Sequence, residues 1–202
     1  MIDASTLIAY LAVVLGFVFI PGPATLLTIA RATSSGTKVG IATGAGIAAG
    51  DVFHTVMAMV GISAIIATSA TLFSIVKYIG AAYLVYLGIR AIIEKTPTDP
   101  TAGALAIPAG KAFRQAVLTE VLNPKTALFF LAFLPQFVRP ENGSVILQLA
   151  ALGIVFVALG LFSTVIFALS AGRLGSFLRR NPTVLKWQGK VVGGIYCALG
   201  VR

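Results

Sequence analysis

Apolar residues run along this chain in six long blocks, at roughly 4–32, 39–68, 72–93, 113–138, 145–171 and 184–202, and the charges fall almost entirely between them. An apolar stretch of 18 or more residues with few charges has the length to cross a hydrocarbon layer as a helix. The pattern therefore predicts an all-α membrane protein of six transmembrane helices, with almost nothing outside the bilayer. Two of the blocks are interrupted. The first contains Pro21-Gly22-Pro23 and the fourth Asn123-Pro124-Lys125. Proline lacks the N–H that closes a helical turn and clashes with the carbonyl four residues back, at about 3 kcal/mol in a helix interior. Each interruption predicts a broken helix, at 21–23 and at 123–125. The first is expected late in its span and the second nearer the middle.

Composition agrees with the pattern. Hydrophobic residues make up 58% of the 202 and charged residues 10%, with a mean hydropathy of +0.99; soluble domains carry about 25% charged residues. The first block reads as a span and not as a secretory signal, because Asp3 is its only early charge and no small-residue cleavage pattern follows. The net charge of +9 suggests nucleic acid until the charges are placed. With the N-terminus outside, Arg31, Lys38, Arg90, Lys95, Lys111, Arg114, Arg173, Arg179, Arg180, Lys186 and Lys190 fall inside, against Lys77, Arg139 and Arg202 outside. That is the asymmetry of the positive-inside rule. The charge thus reports topology and contact with anionic membrane lipids, not nucleic acid, and predicts both termini outside.

The stretch 94–112, rich in proline, threonine, glycine and alanine, separates two sets of three spans. It reads as a cytoplasmic linker between a first three-helix repeat, 1–93, and a second, 113–202, within one integrated membrane domain. The halves share weak internal similarity. P-x-T-x-L occurs at Pro23–Leu27 and Pro124–Leu128, and KYIG…LGIR from Lys77 is echoed by KWQG…LGVR from Lys186. Three crossings per copy place the second copy upside down in the membrane. The expected architecture is therefore two inverted three-helix repeats, the arrangement in which secondary transporters bind substrate where broken helices meet.

Irregular backbone at membrane depth is tolerated only where protein buries it or a wet cavity meets it. Freed carbonyls, such as that of Glu120 below Pro124, offer acceptors to an ammonium group, and half-helix N-termini offer donors to a carboxylate. Lys125 lies about 18 Å into its span at 1.5 Å per residue, and an intramembrane lysine calls for a partner or a cavity. Glu120, Asp51 and a substrate carboxylate are its candidate partners. Asp51, near the middle of the second span, has three roles open to it: binding a substrate amine, carrying a coupling proton, or neutralising Lys125. His54, three residues on, shares its helical face, and a hydrogen bond to Asp51 or to a backbone carbonyl is its expected use.

Gly36, Gly40, Gly44, Gly46 and Gly50 pave the same helix and permit close helix approach in lipid; this leaves room for a homodimer. Tyr78, Tyr83, Tyr86 and Trp187 read as core or interfacial aromatics. One cysteine, Cys197, and one histidine allow neither an intrachain disulfide nor a metal site. There is no catalytic constellation, no phosphate-cradling GxxxxGK and no soluble nucleotide domain. Neither an enzyme nor a cofactor is expected, and uphill transport would have to draw on an ion gradient.

At PGPATLL (21–27), GIATGAGIAAGD (40–51), KYIGAAYLVYLGIRA (77–91) and LNPKTALFFLAFLPQFV (122–138), the chain resembles the lysine exporter / homoserine–threonine exporter family of bacterial amino-acid exporters. The resemblance covers essentially the whole sequence and is most specific at the last segment. It implies a small inner-membrane carrier that exports amino acids or close derivatives, by proton-coupled antiport, with small zwitterions and protons as its partners. Carried over by motif, the site is Pro21, Gly22, Pro23, Asp51, Asn123, Pro124 and Lys125. Glu120 departs from the uncharged polar residue expected there and bears on substrate charge preference. The competing readings are a channel, a six-helix scaffold without coupled transport, and a thiol or metal protein. The scaffold leaves Asp51, Lys125 and both breaks without a purpose.

Overall fold

The computed structural model describes residues 2–19, 22–68 and 106–180, together with positions 71, 75, 78, 82, 85, 86, 89, 93, 187, 190 and 194. Six helices and two short 3-10 turns order the continuous segments: α1 (Ala4–Phe19), α2 (Pro23–Ser35), α3 (Thr37–Thr68), α4 (Ala109–Val121), α5 (Pro124–Ala132), turns at Leu134–Phe137 and Pro140–Asn142, and α6 (Val145–Arg180). There is no strand among the described residues. Among the described residues, two helices are long and apolar enough to cross a membrane, over Thr37–Ile62 and Val145–Ala171, and α1 with α2 forms a third candidate span bent by 42°. Most of the predicted third and sixth spans, with Cys197, Tyr83 and most of the linker, lies outside the described residues.

The boundaries depart from the sequence reading in instructive ways. The first block does not end near residue 32. Its polar tail stays helical to Ser35, and Gly36, at φ 91°, ends the helix where a side chain would be strained. Helices of 16 and 13 residues therefore flank the first break, which lies near the middle of its span and not late in it. The helix of the fourth block starts earlier than its apolar run, at Ala109. Its α-helix ends at Ala132, before a 3-10 turn whose Pro135 cannot continue it.

Asp3 caps α1. Its carboxylate accepts the Ser5 hydroxyl at 2.6 Å and the Thr6 N–H and hydroxyl at 2.8 Å each. These donors, Ser5 foremost, with Arg139 3.9 Å away, hold the carboxyl well below the usual carboxylate range. Because the folded value is the lower one, this cap stabilises at every pH above the ordinary carboxylate range and is lost only in strong acid.

Contacts at the helix ends pair the two halves of the described chain. Asp3 lies beside Arg139 at one end of the bundle, and the Ile107 N–H donates to the Ser35 hydroxyl at 3.1 Å at the other. The run 3–35 and the run 107–139 thus pass through the bundle in opposite directions. The α3 helix packs against α4 and α6, and α2 lies against both α3 and α6.

Glycines set these approaches. Gly40 abuts Ala32 and Ala168, Gly46 the Phe113 carbonyl and Ala116, and Gly50 the Glu120 side chain. Gly40, Gly44, Gly46 and Gly50 of α3 thus make room for contacts within the chain. Gly44 meets Thr164 of α6, and Gly153 of α6 meets Thr55 of α3. The two helices are antiparallel, and the contact is reciprocal: Gly153 and Thr164 stand 109 positions after Gly44 and Thr55.

Two apolar clusters fill the interior. The larger joins Tyr10, Val14 and Val18 to Phe129, Phe130, Phe133, Phe137 and Phe156; the smaller joins Ile29 and Ala32 to Phe167, Ala168 and Ala171. Tyr10 sits 5.2 Å from Phe137 edge-on and donates its hydroxyl to the Leu152 carbonyl at 2.8 Å, so its polar tip is satisfied.

Candidate functional site

Between the two clusters, at the level of both breaks, lies a cavity of about 60 Å³. Phe17, Val18 and Phe156 wall it on the side of the larger cluster; Gly22, Thr25, Asn123 and Thr126 come from the breaks, and Asp51, Gly160, Ser163 and Thr164 from the two long helices. On the measure by which one water needs about 10–15 Å³, it has room for about four to six waters.

The first break forms because Pro23 occupies the opening turn of α2, where its missing N–H costs nothing, with Gly22 extended before it (φ −104°, ψ −171°). The Val18 carbonyl, left without its helical donor, accepts the buried Ser163 hydroxyl of α6 at 2.8 Å. At the second break, Pro124 has no N–H for the Glu120 carbonyl. His54 of α3 supplies one instead, with Nε2 at 2.8 Å and the Asn123 N–H at 3.0 Å. A carbonyl only accepts, so Nε2 carries the hydrogen; the ring also stacks on Phe130 at 5.9 Å. Glu120 is buried, and its carboxylate accepts the Thr126 hydroxyl and, at 3.3 and 3.4 Å, the Asn123 amide.

These bonds correct one expectation. The Glu120 carbonyl freed by Pro124 is not an acceptor held open for a ligand, because His54 takes it. Losing a buried partner of this kind costs about 1–3 kcal/mol. His54→Leu and Ser163→Ala are each expected to lower the unfolding midpoint in mild detergent accordingly. His54→Gln, which keeps an N–H donor, should recover most of the loss; an equal loss in Gln and Leu would exclude the brace.

Asp51 is different. It is 3% exposed and faces the cavity, its backbone carbonyl accepts the Thr55 hydroxyl, and no described residue donates to its carboxyl. A Cβ built on Gly160, across the cavity, would lie 3.5 Å from Asp51 Oδ2.

Of the residues singled out from sequence, Gly22, Asp51, Glu120 and Asn123 meet at this cavity. His54 stands behind the second break, and Pro23 and Pro124 open α2 and α5. Pro21 and the side chain of Lys125 lie outside the described residues. Sequence reasoning missed Thr25, Thr126, Gly160, Ser163 and Thr164. The shared threonine of the two P-x-T-x-L segments was a usable signal for Thr25 and Thr126; polar Ser163 and Thr164 inside an apolar block were another. No group of three or more histidine, cysteine, aspartate or glutamate residues able to hold a metal occurs among the described residues.

Comparison with known proteins follows the same lines. Residues 15–202 match the family described as LysE type translocator. The chain is 31% identical over 199 residues to an uncharacterized membrane protein of Vibrio cholerae, covering 98% of this chain and 96% of that one. It is also 31% identical over 208 residues to the membrane protein YrhP of Bacillus subtilis, covering 98% and 97%. Similarity to the leucine efflux protein of Salmonella typhimurium is 34% over 138 residues, or 66% of this chain and 65% of that protein. No solved structure matches.

Proposed function

The chain belongs to the LysE type translocator family, a membrane translocator and not an enzyme, and from that premise we propose that it exports amino acids or close derivatives across the bacterial inner membrane in exchange for protons. The observation that carries the reading is Asp51, a buried carboxylate on an intramembrane cavity with no donor from any described residue. A buried charge is sustained only by a partner. Asp51 binds the substrate's ammonium on the way out and a proton on the return. A carboxylate that holds one or the other, never both, couples the two by competition. The likeness to a leucine efflux protein supports an amino-acid substrate.

The architecture of this proposal is six spans in two inverted repeats, 1–93 and 113–202, joined by a cytoplasmic linker, with both termini outside. Reciprocal geometry supports it. Gly44–Thr164 mirrors Thr55–Gly153, while His54 and Ser163, also 109 positions apart, each brace a carbonyl at the break in the opposite half. Thr25 and Thr126 reach the cavity from matching motifs. Apolar clusters pack on both sides of the site, an arrangement that favours a carrier over a channel.

The test is efflux of radiolabelled amino acids from proteoliposomes of the purified chain, with and without an imposed pH gradient. A few substrates are expected to leave, faster with the gradient. If no amino acid moves under any gradient, the reading fails.

A further inference from the structure

We propose that Gly160 sets the room available to the substrate's amino group beside Asp51, so that the site takes a primary ammonium in preference to an N-alkylated one. This rests on the reading of Asp51 as the ammonium's partner. Gly160 lies in the middle of α6, where glycine is costly to a helix by about 0.5–1 kcal/mol relative to alanine. No backbone reason requires it, since its φ is not positive. Unlike Gly40, Gly44, Gly46, Gly50 and Gly153, it does not make room for another helix among the described residues, where the one atom a Cβ there would approach is Asp51 Oδ2, at 3.5 Å. That distance is ordinary van der Waals contact, so the protein itself tolerates a methyl group. The place it would occupy is cavity, directly across from a buried carboxyl oxygen that receives no hydrogen bond from a described residue.

An ammonium on Asp51 sits about 2.7–2.9 Å from the oxygen, within the volume the missing Cβ leaves open. In the 109-position correspondence, Gly160 is the counterpart of Asp51 itself. One long helix brings the charge and the other brings the space for what neutralises it. The same space is narrow, because Ile47 and Phe156 line the cavity from the two helices. A methyl on the ligand nitrogen and a methyl on residue 160 therefore compete for one place.

The experiment measures thermal stabilisation of the purified chain in detergent by each of the twenty standard amino acids, and then by the N-methyl derivative of the strongest. Wild type, Gly160→Ala, Gly160→Ser and Asp51→Asn are compared, since a ligand bound only to the folded state raises its midpoint. The N-methyl derivative should bind wild type several-fold more weakly. Gly160→Ala should keep the ligand-free midpoint and lose about 10- to 100-fold in affinity, the worth of one hydrogen bond to a charged group, with no detectable binding of the N-methyl derivative. Gly160→Ser, whose hydroxyl can donate to Asp51 in the ligand's place, should raise the ligand-free midpoint and abolish binding.

Unchanged affinity in Gly160→Ala, or equal binding of the two ligands by wild type, overturns the inference while loss of binding in Asp51→Asn leaves the underlying reading standing. Full binding by Asp51→Asn, or no stabilisation of wild type by any amino acid, overturns both.

Discussion

Asp51→Asn is expected to abolish acceleration of efflux by a pH gradient while leaving slow exchange of substrate across the membrane. Asparagine keeps an acceptor oxygen for the ammonium but loses the charge and the ability to take up a proton. Hydrogen bonds to charged groups are worth about 1.5–3 kcal/mol, so the apparent KM should rise by about 10- to 100-fold. The decisive reading is the ratio of rates with and without the gradient, measured in the same proteoliposomes. It should fall to one. A ratio that survives the substitution moves the coupling proton elsewhere, and Glu120 is the other carboxyl on the cavity. Glu120 already serves Asn123 and Thr126 at the second break, so its replacement would disturb structure as well as charge; Asp51 offers the cleaner measurement.

Gly50→Ala is expected to destabilise the fold by overpacking. A Cβ at Gly50 would lie 2.5 Å from the Cβ and 2.9 Å from the Cγ of Glu120. Neither can yield easily, because Glu120 is tied to the second break through its carboxylate and through its carbonyl bond to His54. The α3 and α4 helices must part, or Glu120 must leave its place. Overpacking of this kind costs about 1–3 kcal/mol and should also weaken substrate binding. Gly61 provides the control. It lies on the same helix with no described residue within 4 Å of a built Cβ, so Gly61→Ala should be neutral or stabilising by about 0.5–1 kcal/mol through helix propensity. Thermal unfolding in one detergent compares them directly. Equal effects would mean that the Gly50 contact does not constrain the packing.

Much of this molecule is legible in its sequence. Apolar block length identifies membrane helices because lipid leaves a backbone no other way to satisfy its polar groups within one segment. Proline positions locate both breaks because a missing N–H is a property of the residue and not of its surroundings. Asp51 could be singled out because a carboxylate among apolar residues is conspicuous in one dimension. The excess positive charge falls on one side of the predicted topology, and that distribution alone sets nucleic acid aside.

The tertiary structure decided what each polar group faces. From sequence, Asp51 and His54 share one helical face, and the Glu120 carbonyl looks free. Only the packing of α3 on α4 turns His54 to that carbonyl and leaves Asp51 on the cavity. Gly40, Gly44, Gly46 and Gly50 meet the chain's own helices; GxxxG spacing specifies close approach but not the partner. Ser163 and Gly160 matter through residues 145 and 109 positions away. Periodicity reports which face of a helix is apolar. It carries no record of which other helix lies against that face, and the site is built from such pairings.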